Sequence, residues 1–398
     1  MNIRVVLALF IFIDTLLLFY GASTLSISYK EAVLFYNQNN FIHYLVCFST
    51  ALLGQNDYAL RLPFILFHLG TILLVYKISK FFLSREFDQM LSVATFMLLP
   101  GIVGSALLVN ASGVVIFFTL LFIWLFLKGY RILYMLLLPL LLGVDNSFMV
   151  LYLGVFTYGV YTRDKTLAIY CAILFLTALG VYGFPMHGKP KGYIIDTLIS
   201  YSLIFSPLVF LYFFYALYRI LMKEEKNIVW FISFTALLFS ILISYRQRIL
   251  IDDFAPYVVV SVPLMVKMFM TSYRVRLPEN RRGHKVMFIV VYAMLIVNFI
   301  ATYTYKFFYL VLENPKKHFA YKYNIARELA EKLHALGVQK VTADKKMQLR
   351  LRFYGIDAGK EYLLQTKPYT DDDQKVTISY IKKPVKVYFV SKVNKQNP

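Results

Sequence analysis

Apolar and polar positions along this chain alternate on the scale of a lipid bilayer rather than of a helix turn. Blocks of about 20 apolar residues, the length that crosses a hydrocarbon core of about 30 Å, are separated by short polar or charged breaks. Read this way the chain has about eleven spans. The first runs from Arg4 to Gly21 and lacks a small-residue cleavage site, so it is expected to be a retained helix. A polar stretch, Ser23 to Asn40, leads to Phe41–Leu53, too short to cross and expected at the interface. Further spans are predicted over Tyr58–Phe82, Gln89–Val109 (broken at Pro100-Gly101) and Val114–Leu127, then two short ones meeting at Asp145-Asn146. Leu167–Phe184, Leu203–Leu221, Ile228–Tyr245, Phe254–Met270 and Val286–Lys306 complete the set.

Beyond Lys306 the pattern changes. Ile325, Leu329 and Leu333 recur at helical spacing within Ala320–Leu336, with Gly337 as a stop. Val338–Ala343, Val376–Ile381 and Val385–Val390 read as strands, the last two parted at Lys383-Pro384. The predicted architecture is an α-helical polytopic membrane domain, residues 1–308, followed by a small extracytoplasmic α/β domain, residues 309–398.

Composition fits this picture: 59% of residues are hydrophobic and 16% charged, with a mean hydropathy of +0.61. A water-soluble fold of 398 residues has too little interior to hide so much apolar surface. The net charge of +20 is spread over short clusters between spans and the C-terminal tail, not gathered into one patch, so nucleic acid is not an expected partner. Lys77, Lys80, Arg85, Lys128, Arg131, Arg163, Lys165, Lys223, Lys226, Arg274, Arg276, Arg281, Arg282 and Lys285 fall in one set of loops; Lys30, Lys189, Lys191, Arg246 and Arg248 fall in the opposite set. The richer set is cytoplasmic by the positive-inside rule. The N-terminus is then expected to be cytoplasmic and the segment from about Tyr309 to lie outside. Cys47 and Cys171 lack metal-type spacing and read as packing residues. His187 has no companions that would make a metal site. No metal is predicted, no cofactor is named, and a divalent cation is left open.

Candidate chemistry gathers at charges near the outer side. Asp14, towards the middle of the first span, costs about 2.5–3.5 kcal/mol to insert and is expected to bond to a neighbouring helix. Glu31, in the first outside loop beside Lys30, is a candidate general base. Lys189 and Lys191 are placed to snorkel to lipid head groups, and Arg246 and Arg248 to pair with Asp252 and Asp253 in a loop network. Asp145 and Asn146 suit a tight turn, with an acceptor-side role as the functional alternative.

Tyr29-Lys30-Glu31-Ala32, followed by the pattern L-x-G-x-N-x-x-A-x-R-L-P-F that ends on Arg61-Leu62-Pro63-Phe64, resembles the GT-C membrane glycosyltransferases. Within these it is most similar to the protein O-mannosyltransferases and aminoarabinose lipid A transferases. The resemblance covers mainly residues 25–128 and the order of spans. A looser match is Arg246-Gln247-Arg248 ahead of Phe254-Ala255-Pro256-Tyr257. Lys30 stands where the family has aspartate, and Asn110-Ala111-Ser112 where many members have an acid.

The resemblance implies transfer of a sugar from a polyprenyl-phosphate donor to a lipid, glycan or protein acceptor on the outer side. Glu31 would then be the base. Lys30, Arg61, Lys189, Lys191, Arg246, Arg248 and Tyr257 would attend the donor and its phosphate. Two other readings stay open: a transporter or flippase of lipid-linked sugars, and an inactive relative acting as a scaffold.

Overall fold

The structure is a computed structural model and describes residues 3–183, 191–368, 373–381 and 383–392. It divides into two compact units, Met1–Leu18 with Phe64–Ile300, and Phe19–Pro63 with Ala301–Pro398.

The first unit is helical. Among the described residues, five helices are long and apolar enough to cross a membrane: Ile3–Thr24, Asp57–Phe82, Lys165–Tyr182, Ala255–Val275 (with a short break) and Arg281–Tyr303. Two further pairs pass the same test as bent spans, Glu86–Leu98 with Pro100–Leu107 at 61° and Ile194–Phe205 with Pro207–Lys223 at 106°. Ser112–Leu127, Arg131–Leu141, Phe148–Thr162 and Ile228–Ser244 are shorter apolar helices. By length, then, five to seven crossings are supported, and the expected eleven are not established. The chain is nonetheless an integral membrane protein by the length and hydropathy of these helices.

Both bends have a local cause. Pro100 and Pro207 each occupy the first turn of the second helix, where a missing N–H costs nothing but the preceding helix cannot continue. The first break is where Pro100-Gly101 predicted it. The second splits the expected Leu203–Leu221 span, because Ser206 adopts a φ of 74°, left-handed backbone that no helix contains.

Small and hydroxylated residues join the helices. Ser79 bonds Ser92 at 3.1 Å and Tyr201 bonds Ser240 at 3.0 Å, polar links that hold where lipid supplies no hydrophobic drive between helices. Asp14 finds its expected partner in His68, Oδ2 to Nε2 at 2.8 Å, both buried. Gly154 lets two helices meet closely: an added Cβ would lie 2.9 Å from the Ile232 Cα.

The second unit holds the sheet. Strands β1 (Lys340–Thr342), β2 (Asp357–Gln365), β3 (Gln374–Tyr380) and β4 (Lys383–Lys392) are ordered β1-β2-β4-β3. The β1–β2 pair is parallel and the other two are antiparallel. A parallel pair needs a crossover, here the Lys345–Phe353 helix. Leu329, Leu333, Val341, Leu351, Val376, Ile378 and Val390 form the core. The predicted Ala320–Leu336 helix begins later, at Ala326, because Tyr321–Tyr323 forms a separate 3₁₀ turn and Ile325 has a φ of 86°. Gly337 ends it at a φ of 73°, as expected of a stop.

Gly154→Ala is expected to lower stability by about 1–3 kcal/mol through overpacking. Gly180→Ala, where the added methyl has no atom within 4 Å, is expected to leave stability unchanged or slightly raised. Thermal unfolding of the two variants in detergent checks this.

Candidate functional site

In the second unit the chain leaves helix after Thr24 and runs irregularly through residues 25–28. These four residues are buried, so their backbone groups need protein partners. The amides donate to three different groups: Ser26 N–H to the Tyr323 carbonyl at 2.8 Å, Ile27 N–H to the Tyr354 hydroxyl at 2.9 Å, and Ser28 N–H to Glu31 Oε2 at 2.7 Å. Guanidiniums serve two of the carbonyls, Arg61 donating to Ser26 O at 3.3 Å and Arg350 to Ile27 O at 2.7 Å.

Arg61 has none of its surface exposed. Its Nη1 donates to Asp57 Oδ1 at 3.1 Å, one helix turn away, and its Nη2 lies 3.9 Å from Glu31 Oε2. Asp57 Oδ1 also accepts from the Tyr354 hydroxyl at 2.9 Å, and Oδ2 from Arg327 at 3.4 Å. Asp57, Arg327, Arg350 and Tyr354 are the participants that sequence reasoning missed. The first two are common surface residue types, and nothing in their spacing announced a shared partner.

Glu31 sits otherwise than expected. It is not a solvated loop acid but the third residue of the Tyr29–Asn37 helix, 3% exposed. Ser28 and Glu31 form a reciprocal capping box, the Glu31 N–H donating to Ser28 Oγ at 3.3 Å. The signal was present in the sequence as Ser-x-x-Glu ahead of an apolar run. Lys30, its neighbour, is exposed and turns instead into a cavity of about 830 Å³.

The remaining candidates lie in the first unit. Lys191 N–H donates to the Arg246 carbonyl at 3.2 Å and Tyr193 N–H to the Ser244 carbonyl at 2.7 Å, so a short backbone ladder sets Lys191 beside Arg246. Arg248 lines a small cavity of about 50 Å³ with Asn146, Gln247 and Asp253. Asp145 accepts from Ser147 N–H at 2.9 Å, a turn-forming contact that matches the structural alternative. Asp252 is exposed. Tyr257 is wholly buried, its hydroxyl 3.4 Å from Ser147 Oγ. Lys189 and His187 lie outside the described residues. Among the described residues no group of three or more His, Cys, Asp and Glu side chains could hold a metal ion.

Burial, reinforced by Asp145 and Asp252, pushes the Asp253 carboxyl up to about 7. Three acids therefore share this corner of the unit with Arg248.

No family model and no curated protein matches the chain. One solved structure that does match is ArnT from Cupriavidus metallidurans in the apo state, at a TM-score of 0.53 and 10% identity, covering 96% of this chain and 97% of that one. The fold is the GT-C fold. At this identity the likeness carries the architecture and no correspondence between residues. The GT-C fold was also what the Arg61-Leu62-Pro63 resemblance implied, so two unlike comparisons agree on it.

Two outcomes follow. Asp57→Ala removes the nearest charged partner of buried Arg61 and is expected to cost about 3–5 kcal/mol, read by thermal unfolding beside Tyr354→Phe, which removes the bond to Asp57, strands the buried Ile27 N–H and is expected to cost at least about 2.5 kcal/mol. Because the folded-state pKa of Asp253 is raised, the native state binds the extra proton, and this group's penalty grows as pH rises from about 4 to about 7. Asp253→Asn is therefore expected to gain melting temperature over the parent at pH 8, with the gain shrinking steadily towards pH 4.

Proposed function

We propose that the protein is a GT-C-type membrane glycosyltransferase. It moves a sugar from a polyprenyl-phosphate donor to a lipid, glycan or protein acceptor on the outer side of the membrane. The observation that carries this reading is the likeness to ArnT along nearly the whole of both chains, in a protein whose first outside segment has a buried carboxylate paired with an arginine. The reading includes a bacterial inner membrane, a cytoplasmic N-terminus and a periplasmic C-terminal domain.

In this mechanism Glu31 takes the proton from an acceptor O–H or N–H as that atom attacks the anomeric carbon. The bond from that carbon to the donor phosphate breaks, and the electron pair leaves with the lipid phosphate. Charge growing on the leaving oxygen needs cations fixed in advance. The sequence offers Lys189, Lys191, Arg246 and Arg248 for that role. Arg61 and Asp57 do not touch substrate; they hold the segment that carries Glu31.

Glu31→Gln separates catalysis from capping. The amide oxygen still accepts the Ser28 N–H, so the helix start survives while the base is gone. Sugar transfer is expected to fall at least a hundredfold while the protein stays folded with a melting temperature lowered by the lost charge beside Arg61, whereas Glu31→Ala is expected to lose transfer and, with the cap gone as well, to melt lower still. Full transfer by a stably folded Glu31→Gln protein would leave Glu31 a capping residue and remove it from the mechanism. Lipid-linked sugar crossing the bilayer with no transfer product would assign the protein to transport instead.

A further inference from the structure

The cavity into which Lys30 turns is built entirely within the second unit, and its chemistry is one-sided. Six cationic side chains line it: Lys30, Lys322, Lys346, Arg350, Lys367 and Lys386. Asp344 is the one acid among the described lining residues. Its volume of about 830 Å³ is within the range that encloses a small organic ligand.

We propose that this cavity is a binding site for a ligand carrying two or more phosphate charges. The cations come from four separate places: the start of the Tyr29–Asn37 helix, the Tyr321–Tyr323 turn, the Lys345–Phe353 helix, and the sheet with its connections. No local sequence preference gathers charges from four elements. Holding six like charges about one cavity costs repulsion that an anion offsets.

Arg350 forms the floor. It is 7% exposed and fixed by the carbonyls of Ile27 and Asn324, each at 2.7 Å, so its guanidinium is set in place before a ligand arrives. Lysines around it are point charges on flexible stems, suited to phosphate oxygens in varied directions. The ammonium of Lys386 is held below its ordinary value by burial and by the nearby positive charges of Lys316 and Arg350, as expected where cations outnumber acids. Tyr29 and Tyr388, beneath Lys346 at 6.0 Å and Lys386 at 4.6 Å, give the cavity aromatic faces against which a sugar or other ring can lie. The replacement of the family aspartate by Lys30 then has a purpose unconnected with proton transfer: it adds a cation to this cavity. The site is independent of whether Glu31 is a base.

The test uses the full-length protein in nanodiscs of neutral phosphatidylcholine. Calorimetric titration with inorganic pyrophosphate is expected to give saturable binding at least tenfold tighter than inorganic phosphate, weakening as salt rises. Lys322→Glu with Lys346→Glu, both exposed and so tolerated by the fold, is expected to weaken it at least tenfold. Lys80→Glu, in the first unit, is expected to leave it unchanged. A second arm presents vesicles of phosphatidylcholine with or without phosphatidic acid. Capture of the acidic vesicles alone, lost in the double variant, would identify a lipid headgroup as the source, and pyrophosphate binding a free phosphate ester. The proposal is overturned if neither probe binds, or if the double variant binds as well as the parent.

Discussion

Arg61 is the residue on which the second unit turns. A guanidinium with no exposed surface must find acceptors for its donors inside the protein. It finds Asp57 one turn away, the Ser26 carbonyl and the Glu31 carboxylate. Asp57 in turn draws in Tyr354 and Arg327. The irregular residues 25–28 have no ladder of their own, and these charged groups replace one. A strand or helix would have satisfied that backbone more cheaply. The cost of burying charge is met because each charged group answers several partners at once, which fixes one geometry and no other.

The first unit solves a similar problem with weaker means. Its helices meet through single hydroxyl links, the Asp14–His68 pair, the Arg274–Asp88 ion pair and glycine approaches, while most of its interior is aliphatic and aromatic. Three acids, Asp145, Asp252 and Asp253, crowd one corner of it. The GT-C architecture accommodates both arrangements in one chain, and the likeness to ArnT at 10% identity illustrates how little of that architecture depends on particular residues.

Much of the helical fold was legible because spans of about 20 residues leave a coarse signal that survives any local irregularity. The break at Pro100 was legible for the same reason, since proline announces itself. The break at Ser206 was not, although Pro207 follows it: a serine in left-handed backbone is a tertiary outcome. In the C-terminal module, strands rich in Val and Ile were found. Strand β2, Asp-Ala-Gly-Lys-Glu-Tyr-Leu-Leu-Gln, was missed because it opens with charges and glycine. The Lys345–Phe353 helix was missed because its alternating Leu and Arg residues suggest neither period clearly. At the candidate site Glu31 was singled out as an acid of the first outside loop, and its burial was not foreseen. Asp57, which shares Arg61 with it, passed unnoticed in a loop-like run, and the four-residue Ser28–Glu31 capping signature was overlooked although it lay in plain view.

The pairing of Asp14 with His68 carries a consequence for how the protein is made. The two residues are 54 positions apart, so during synthesis the first helix is complete well before its partner emerges. Until then the Asp14 carboxylate has nothing to bond in the hydrocarbon. Until the partner arrives, the first helix is better kept where water and polar protein groups remain available, because an unpaired acid in hydrocarbon is costly. Release of the first helix into the bilayer is thus tied to arrival of the second, and a contact that looks static in the finished molecule acts earlier as a timing signal for assembly.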